Sequence, residues 1–202
     1  MSYNLGNMKE QGTATDIDKL IAILGDLPEP LAKPHFVIVS GLPGTGKSTF
    51  SRRLSQRLSS AIIETDALRK IVFPNPRYTI DESNQLFRVC HNLIRELLRR
   101  GIPVILDATN LLERHREYLY NIAERVGAKL IIVRVEAPPE FVQQRLVRRF
   151  VETDPDDHSD ATWDIYMKMR AMAQKISRNH FVADTSKDVE PVIDKIVREL
   201  RR

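Results

Sequence analysis

The stretch Gly41-Leu42-Pro43-Gly44-Thr45-Gly46-Lys47-Ser48-Thr49 fills every fixed position of the phosphate-binding pattern G-x-x-x-x-G-K-[ST]. Its glycines let the backbone curl until successive N–H groups converge on one anion. Lys47 then reaches the outer phosphates, and the Ser48 hydroxyl takes a place on Mg²⁺. The flanks have the order this chemistry needs. His35-Phe36-Val37-Ile38-Val39 reads as a buried strand, and residues 49–58 read as a helix with Phe50, Leu54 and Leu58 on one face. Gly41, Gly44, Thr45, Gly46, Lys47, Ser48 and Thr49 are therefore expected to hold the phosphates of a ligand, with Mg²⁺ at Ser48.

Working outward, 202 residues with 42% hydrophobic content suit one globular domain carrying a full core without disulfides. The single cysteine, Cys90, falls at helical spacing with Leu86, Leu93 and Leu97, which predicts a reduced core thiol. One cysteine also rules out a thiolate metal cluster. No apolar run approaches the roughly 20 residues of a spanning helix and no signal-peptide core precedes residue 33, so a cytoplasmic location is the expectation. A net charge of +4 permits a polyanionic ligand without arguing for one.

Strands and helices alternate along the rest of the chain. Residues 1–33 read as an appendage, partly helical over Asp16 to Leu24 and ended by Gly25 and a run of prolines. From 34 to 202 the pattern is a single domain. Strands are expected at 61–64, 103–107, 129–135 and 181–183. Helices are expected at 67–72, 81–100, 112–126, 139–150, 161–177 and 189–202. This is an α/β chain with a doubly wound parallel sheet of about five strands.

In such a sheet, ligands gather at the carboxyl ends of the strands. There the sequence places the P-loop, Thr65 and Asp66, and Asp107 with Thr109 and Asn110. Asp107 ends an apolar strand and suits the Mg²⁺-orienting carboxylate of P-loop enzymes; the competing assignment is a cap for the following helix. Asp66 is placed to accept a proton from an acceptor hydroxyl, and it equally suits the N-cap of helix 67–72.

These motifs together carry a resemblance. The P-loop, Glu64-Thr65-Asp66-Ala67-Leu68-Arg69, Leu106-Asp107-Ala108-Thr109-Asn110 and the arginine-bearing helix around Arg145 to Arg149 are similar to the AAA-type P-loop kinases related to phage polynucleotide kinase and zeta toxins, over residues 35 to 185. The resemblance implies a P-loop NTPase fold of the nucleoside-kinase-like kind with a helical lid around 138–160, and ATP-dependent phosphorylation of a hydroxyl with Mg²⁺. It makes Asp66 the general base, Arg69 an acceptor-binding cation, and Arg145 and Arg149 lid cations on the transferring phosphoryl group. Either arginine equally suits a solvated face.

The acceptor stays open among a small molecule, a polynucleotide 5′-hydroxyl and a nucleotide sugar. The acid-rich run from Glu152 to Asp160 speaks against a polyanion approaching the lid, and it also suits a solvated loop that caps the next helix through Ser159 or Asp160. Trp163, Tyr166 and Met169 recur at helical spacing and suit core packing better than base stacking. Arg52, Arg53 and Arg57 are expected on a wet face. The five histidines show no metal-ligand spacing. A nucleotide-dependent switch is the alternative of another class, but Thr185-Ser186-Lys187-Asp188 lacks the spacing of a guanine-reading motif. The favoured reading is a kinase with a small hydroxylated acceptor; a nucleic-acid partner is possible and less favoured, and no membrane partner is expected.

Overall fold

The computed structural model describes residues 14–151 and 161–202. In chain order the elements are α1 (Ala14–Ile23), β1 (His35–Ser40), α2 (Lys47–Leu58), β2 (Ala61–Glu64), α3 (Thr65–Val72), α4 (Ile80–Arg99), β3 (Val104–Ala108), α5 (Glu113–Val126), β4 (Lys129–Glu136), α6 (Pro139–Val151), α7 (Trp163–Met172), β5 (Phe181–Asp184) and α8 (Glu190–Leu200). The five strands form one parallel sheet in the order β2-β3-β1-β4-β5.

Every residue of β1 and β3 is buried, which explains their unbroken apolar runs: a parallel strand covered on both faces has no solvent side to mark with polar residues. Alternate side chains serve opposite cores. Phe36, Ile38, Val104, Leu106 and Ile132 join the core beneath α4 and α5, while Val37, Val39, Ile105 and Val133 join that beneath α2 and α8. Cys90 lies in the first core, where burial pushes its thiol up to about 12, so it remains a protonated packing group. Ile17, Leu20 and Ile21 of α1 belong to this same core, and Asp18 of α1 pairs with Arg100 at 2.6 Å.

Several helix boundaries differ from the sequence reading, and three of them have a clear local reason. Helix α3 starts at Thr65, directly off the extended Glu64 (φ −92°, ψ 119°) without a side-chain cap. Asp66 therefore lies inside the first turn and is not the N-cap. Helix α7 starts at Trp163 because Thr162 accepts a hydrogen bond from the Ile165 N–H at 3.4 Å. It ends at Met172, five residues early, because the next carbonyls turn away to another partner: Arg116 donates to Gln174 O at 3.0 Å and to Lys175 O at 2.9 Å. The acid-rich run with its capping residues Ser159 and Asp160, and the first 13 residues, lie outside the described residues. Among the described residues no helix is long and apolar enough to cross a membrane.

Candidate active site

Strand register assembles the site. Val39 of β1 pairs with Asp107 of β3, which pairs in turn with Glu64 of β2, so the loops that follow these strands open side by side. They border a cleft of about 660 Å³, within the range of small-ligand sites.

The P-loop leaves β1 at Ser40 and closes at the N-terminus of α2. Gly41 passes so close to β4 that a Cβ there would lie 2.3 Å from Val135 O, and only glycine allows that approach. Gly44, at φ +74°, packs against the root of α6: a Cβ would meet Val142 Cγ1 at 2.9 Å and Leu146 Cγ at 3.1 Å. Within the loop, Thr45 Oγ1 donates to Leu42 O at 2.8 Å, and Lys47 Nζ donates to the same carbonyl at 3.2 Å. Gly46 is the left-handed N-cap of α2 and supplies no side-chain cap. The first N–H groups of α2 are thus left for an anion, which the helix dipole also favours.

Asp107 is 5% exposed, and its pKa is raised chiefly by burial. The Lys47 charge and a hydrogen bond from Ser48 oppose that shift, while Asp66 reinforces it. Its Oδ2 is buried with no hydrogen-bond partner among the described residues. A buried carboxylate oxygen left unpaired costs free energy unless a cation or water satisfies it. Beside it stands the Ser48 hydroxyl, so two hard oxygen donors meet at the loop exit, a set that fits Mg²⁺. Among the described residues no cluster of three or more His, Cys, Asp or Glu side chains can hold a metal, so a cation here must complete its shell with water and phosphate oxygens. Asp107 also lies within β3, five residues before the N-cap of α5, Leu112, which removes the helix-cap assignment.

The remaining expected residues divide. Asp66, exposed in the first turn of α3, lines the cleft with Thr65 and Thr109. Arg69, one turn further along α3, does not line it; its guanidinium lies 4.9 Å from the Tyr78 ring centroid and reaches Ser83 Oγ at 3.4 Å. Asn110 does not line the cleft either. It has φ +45°, and its carbonyl accepts hydrogen bonds from Ser40 Oγ, at 3.4 Å, and from Arg116. Arg145, Arg148 and Arg149 of α6 all face the cleft, but Arg145 commits two donors to Thr185, at 2.8 Å to Oγ1 and 2.9 Å to O. The lid root packs through Val142, Leu146 and Tyr166, with Trp163 stacked on Tyr166 at 4.9 Å between centroids. Met169 instead borders the cleft. Arg53 and Arg57 are not simply solvated: they bridge α2 to Glu190 and Asp194 of α8 at 2.5 to 3.2 Å.

Two functional positions escaped the sequence reading. Thr185 follows β5, and the rule that ligands gather at strand carboxyl ends points to it as plainly as to Asp66. Arg116 is 1% exposed and interrupts the apolar stripe of α5 formed by Leu119, Tyr120 and Ala123. A cation on the buried face of an amphipathic helix was the available signal.

Parallel five-stranded sheet, glycine loop and buried strand-end aspartate define a P-loop NTPase fold of the α/β class. The chain belongs to the AAA domain family, whose model matches residues 36–176. It is 32% identical over 119 residues to the L-seryl-tRNA(Sec) kinase of Methanococcus maripaludis, a match covering 56% of this chain and 45% of that protein. It is 33% identical over 93 residues to the gluconokinase of Gluconobacter oxydans, covering 43% and 52%. The matched region thus spans about half the length of these curated relatives. The Mycobacterium tuberculosis APS kinase CysC, solved with AMPPNP and APS, has the same fold: TM-score 0.62 and 19% identity over 86% of this chain and 100% of that one.

Proposed function

We propose that this protein is an ATP-dependent kinase that transfers the γ-phosphoryl group to a hydroxyl of a small acceptor. One observation carries the reading: a single cleft brings together the P-loop with Lys47 and Ser48, the buried Asp107 with an unsatisfied oxygen, and the exposed Asp66. The kinase relatives support the reaction class. The finer kinship with phage polynucleotide kinase and zeta toxins rests on the sequence motifs alone.

The P-loop N–H groups from Gly44 to Thr49 and the Lys47 ammonium bind the ATP phosphates and neutralise charge as it shifts toward the leaving oxygen. Bound Mg²⁺, held by Ser48 and Asp107, would supply charge neutralisation across the β- and γ-phosphates. Asp66 accepts the acceptor's O–H proton as that oxygen forms its bond to phosphorus and the bond from phosphorus to the β–γ bridging oxygen breaks, releasing ADP. Thr109 orients the acceptor from the cleft wall, Arg69 adds positive charge from behind Tyr78, and the Asn110 carbonyl fixes the loop that carries Thr109. Arg149 places positive charge over the transferring group, while Arg145 acts through its fork on Thr185.

The test is transfer of labelled phosphate from ATP across sugars, hydroxylated metabolites and 5′-hydroxyl oligonucleotides, with Lys47→Ala alongside. Labelling of a small acceptor that Lys47→Ala abolishes is the expected result. Near-wild-type turnover in that variant overturns the P-loop assignment. Efficient, steeply salt-sensitive labelling of oligonucleotide ends would replace the small acceptor with a nucleic-acid end.

A further inference from the structure

The phosphoryl-transfer reading gives Tyr78 no role. Tyr78 lines the cleft, is 52% exposed, and holds φ +56°, a left-handed conformation that bulky residues rarely adopt. Its neighbours pin it there. The Arg77 N–H donates to both Glu82 carboxylate oxygens at 2.8 and 3.1 Å, and Thr79 Oγ1 caps α4 by accepting from the Glu82 N–H at 3.2 Å. Strain that its surroundings over-determine in this way is concentrated at ligand sites.

Behind the Tyr78 ring lies Arg69, with its Cζ 4.9 Å from the ring centroid. The ring borders the cleft and the guanidinium does not. Arg69 donates to Ser83 Oγ at 3.4 Å, and its Nη1 is buried with no hydrogen-bond partner among the described residues. A buried guanidinium nitrogen lacking a partner is costly, and an anion is its natural complement. Asp66, the proposed base, stands one helical turn away on α3. At the acceptor end of the cleft, therefore, an aromatic face screens a cation that still has a donor to give.

We propose that Tyr78 is the acceptor-specificity residue: its ring packs against a ring of the acceptor, and the Arg69 charge behind it favours an anionic substituent at the ring's edge. The acceptor class is a hydroxylated ring compound carrying a phosphate, sulfate or carboxylate group. A bare inorganic anion meets the screening ring without gaining a contact from it, and a neutral ring gains nothing from the Arg69 charge. A nucleic-acid strand would call for successive stacking rings, whereas the cleft offers this one beside Arg69. The inference rests on the kinase reading, which places the acceptor beside Asp66.

The test uses probes and no turnover. Phenyl phosphate, inorganic phosphate and benzyl alcohol are titrated by ligand-observed NMR into the protein, with and without saturating Mg²⁺ and a non-hydrolysable ATP analogue, whose affinity is measured in the same samples. Phenyl phosphate is expected to bind about three- to tenfold tighter than inorganic phosphate, the range of one aromatic pair. Tyr78→Phe keeps that preference, Tyr78→Ala removes it, and Arg69→Gln weakens both anions. Equal binding of the two phosphates to the wild type, or a preference that survives Tyr78→Ala, overturns the proposal. Failure of the analogue to bind counts instead against the kinase reading, and the nucleotide-free titrations still decide the role of Tyr78.

Discussion

The Thr185 hydroxyl accepts a hydrogen bond from Arg145 at 2.8 Å and donates one to Thr45 O at 2.7 Å, so a single side chain after β5 ties the root of α6 to the phosphate loop. A loop held in shape before its ligand arrives loses less entropy on binding. Arg145→Ala and Thr185→Val are therefore expected to raise the KM for ATP by similar amounts, roughly tenfold, and to combine non-additively. Arg149→Ala is expected to lower kcat at nearly unchanged ATP affinity. Steady-state kinetics on the four variants separates the two roles; a kcat loss for Arg145→Ala equal to that of Arg149→Ala would return Arg145 to direct action on the phosphoryl group.

Asp66→Asn is expected to keep ATP binding and stability while cutting transfer about 100-fold or more, since an amide of the same size takes no proton at neutral pH. Because Asp66 lies within the first turn of α3 and not at its cap, the melting temperature should hardly move. A full-turnover variant with a lowered melting temperature would make Asp66 a structural residue.

Arg116, itself 1% exposed, donates to Glu113 Oε2 at 2.6 Å and to the carbonyls of Asn110, Gln174 and Lys175. Arg116→Leu strands three carbonyls and a carboxylate oxygen at once. A loss of about 1–3 kcal/mol in urea unfolding is expected, the cost of leaving hydrogen-bonding groups without their partner, since the Glu113 carboxylate keeps its hydrogen bond from Ser177. Arg116→Lys, with a single ammonium, should recover only part of it.

Acid should destabilise the fold through two histidines. Burial lowers His35 to about 4 and, helped by Arg95 and His115, lowers His91 to about 4, against a usual value near 6.5. Both are neutral in the fold and charge more readily when unfolded. Their stabilisation is complete above pH 6.5 and declines as the pH falls toward 4. His35 also shares a 2.7 Å hydrogen bond with Ser60 Oγ. Melting temperatures from pH 7.5 to 4.5 should fall, and His35→Gln should flatten that fall; an unchanged slope would assign it to other groups.

How much of this was legible beforehand follows from the range of the forces involved. The P-loop, the five strands and Asp107 are written locally, in glycine spacing and apolar runs, and the sequence reading placed them within a residue or two. The end of α7 was not legible because Arg116, more than 50 residues upstream, draws its continuing backbone away, and nothing near Met172 records that pull. Asn110 and Arg69 have the right chemistry in the right segment, yet a positive φ at one and the ring of Tyr78 over the other turn them from the cleft. Motifs fix which loops meet; side-chain packing between distant segments fixes which atoms of those loops face the ligand.

The pairing of Asp18 with Arg100 across 82 residues also bears on how the chain is made. During synthesis at about 5–20 residues per second, α1 leaves the ribosome roughly 4–16 s before the end of α4, on which Ile17, Leu20 and Ile21 depend for burial. Throughout that interval an apolar stripe has no native partner. The nascent chain is then most open to chaperone capture or aggregation, and substitutions in α1 should show first as lower yield of folded protein from the cell, before any change in the properties of the folded protein.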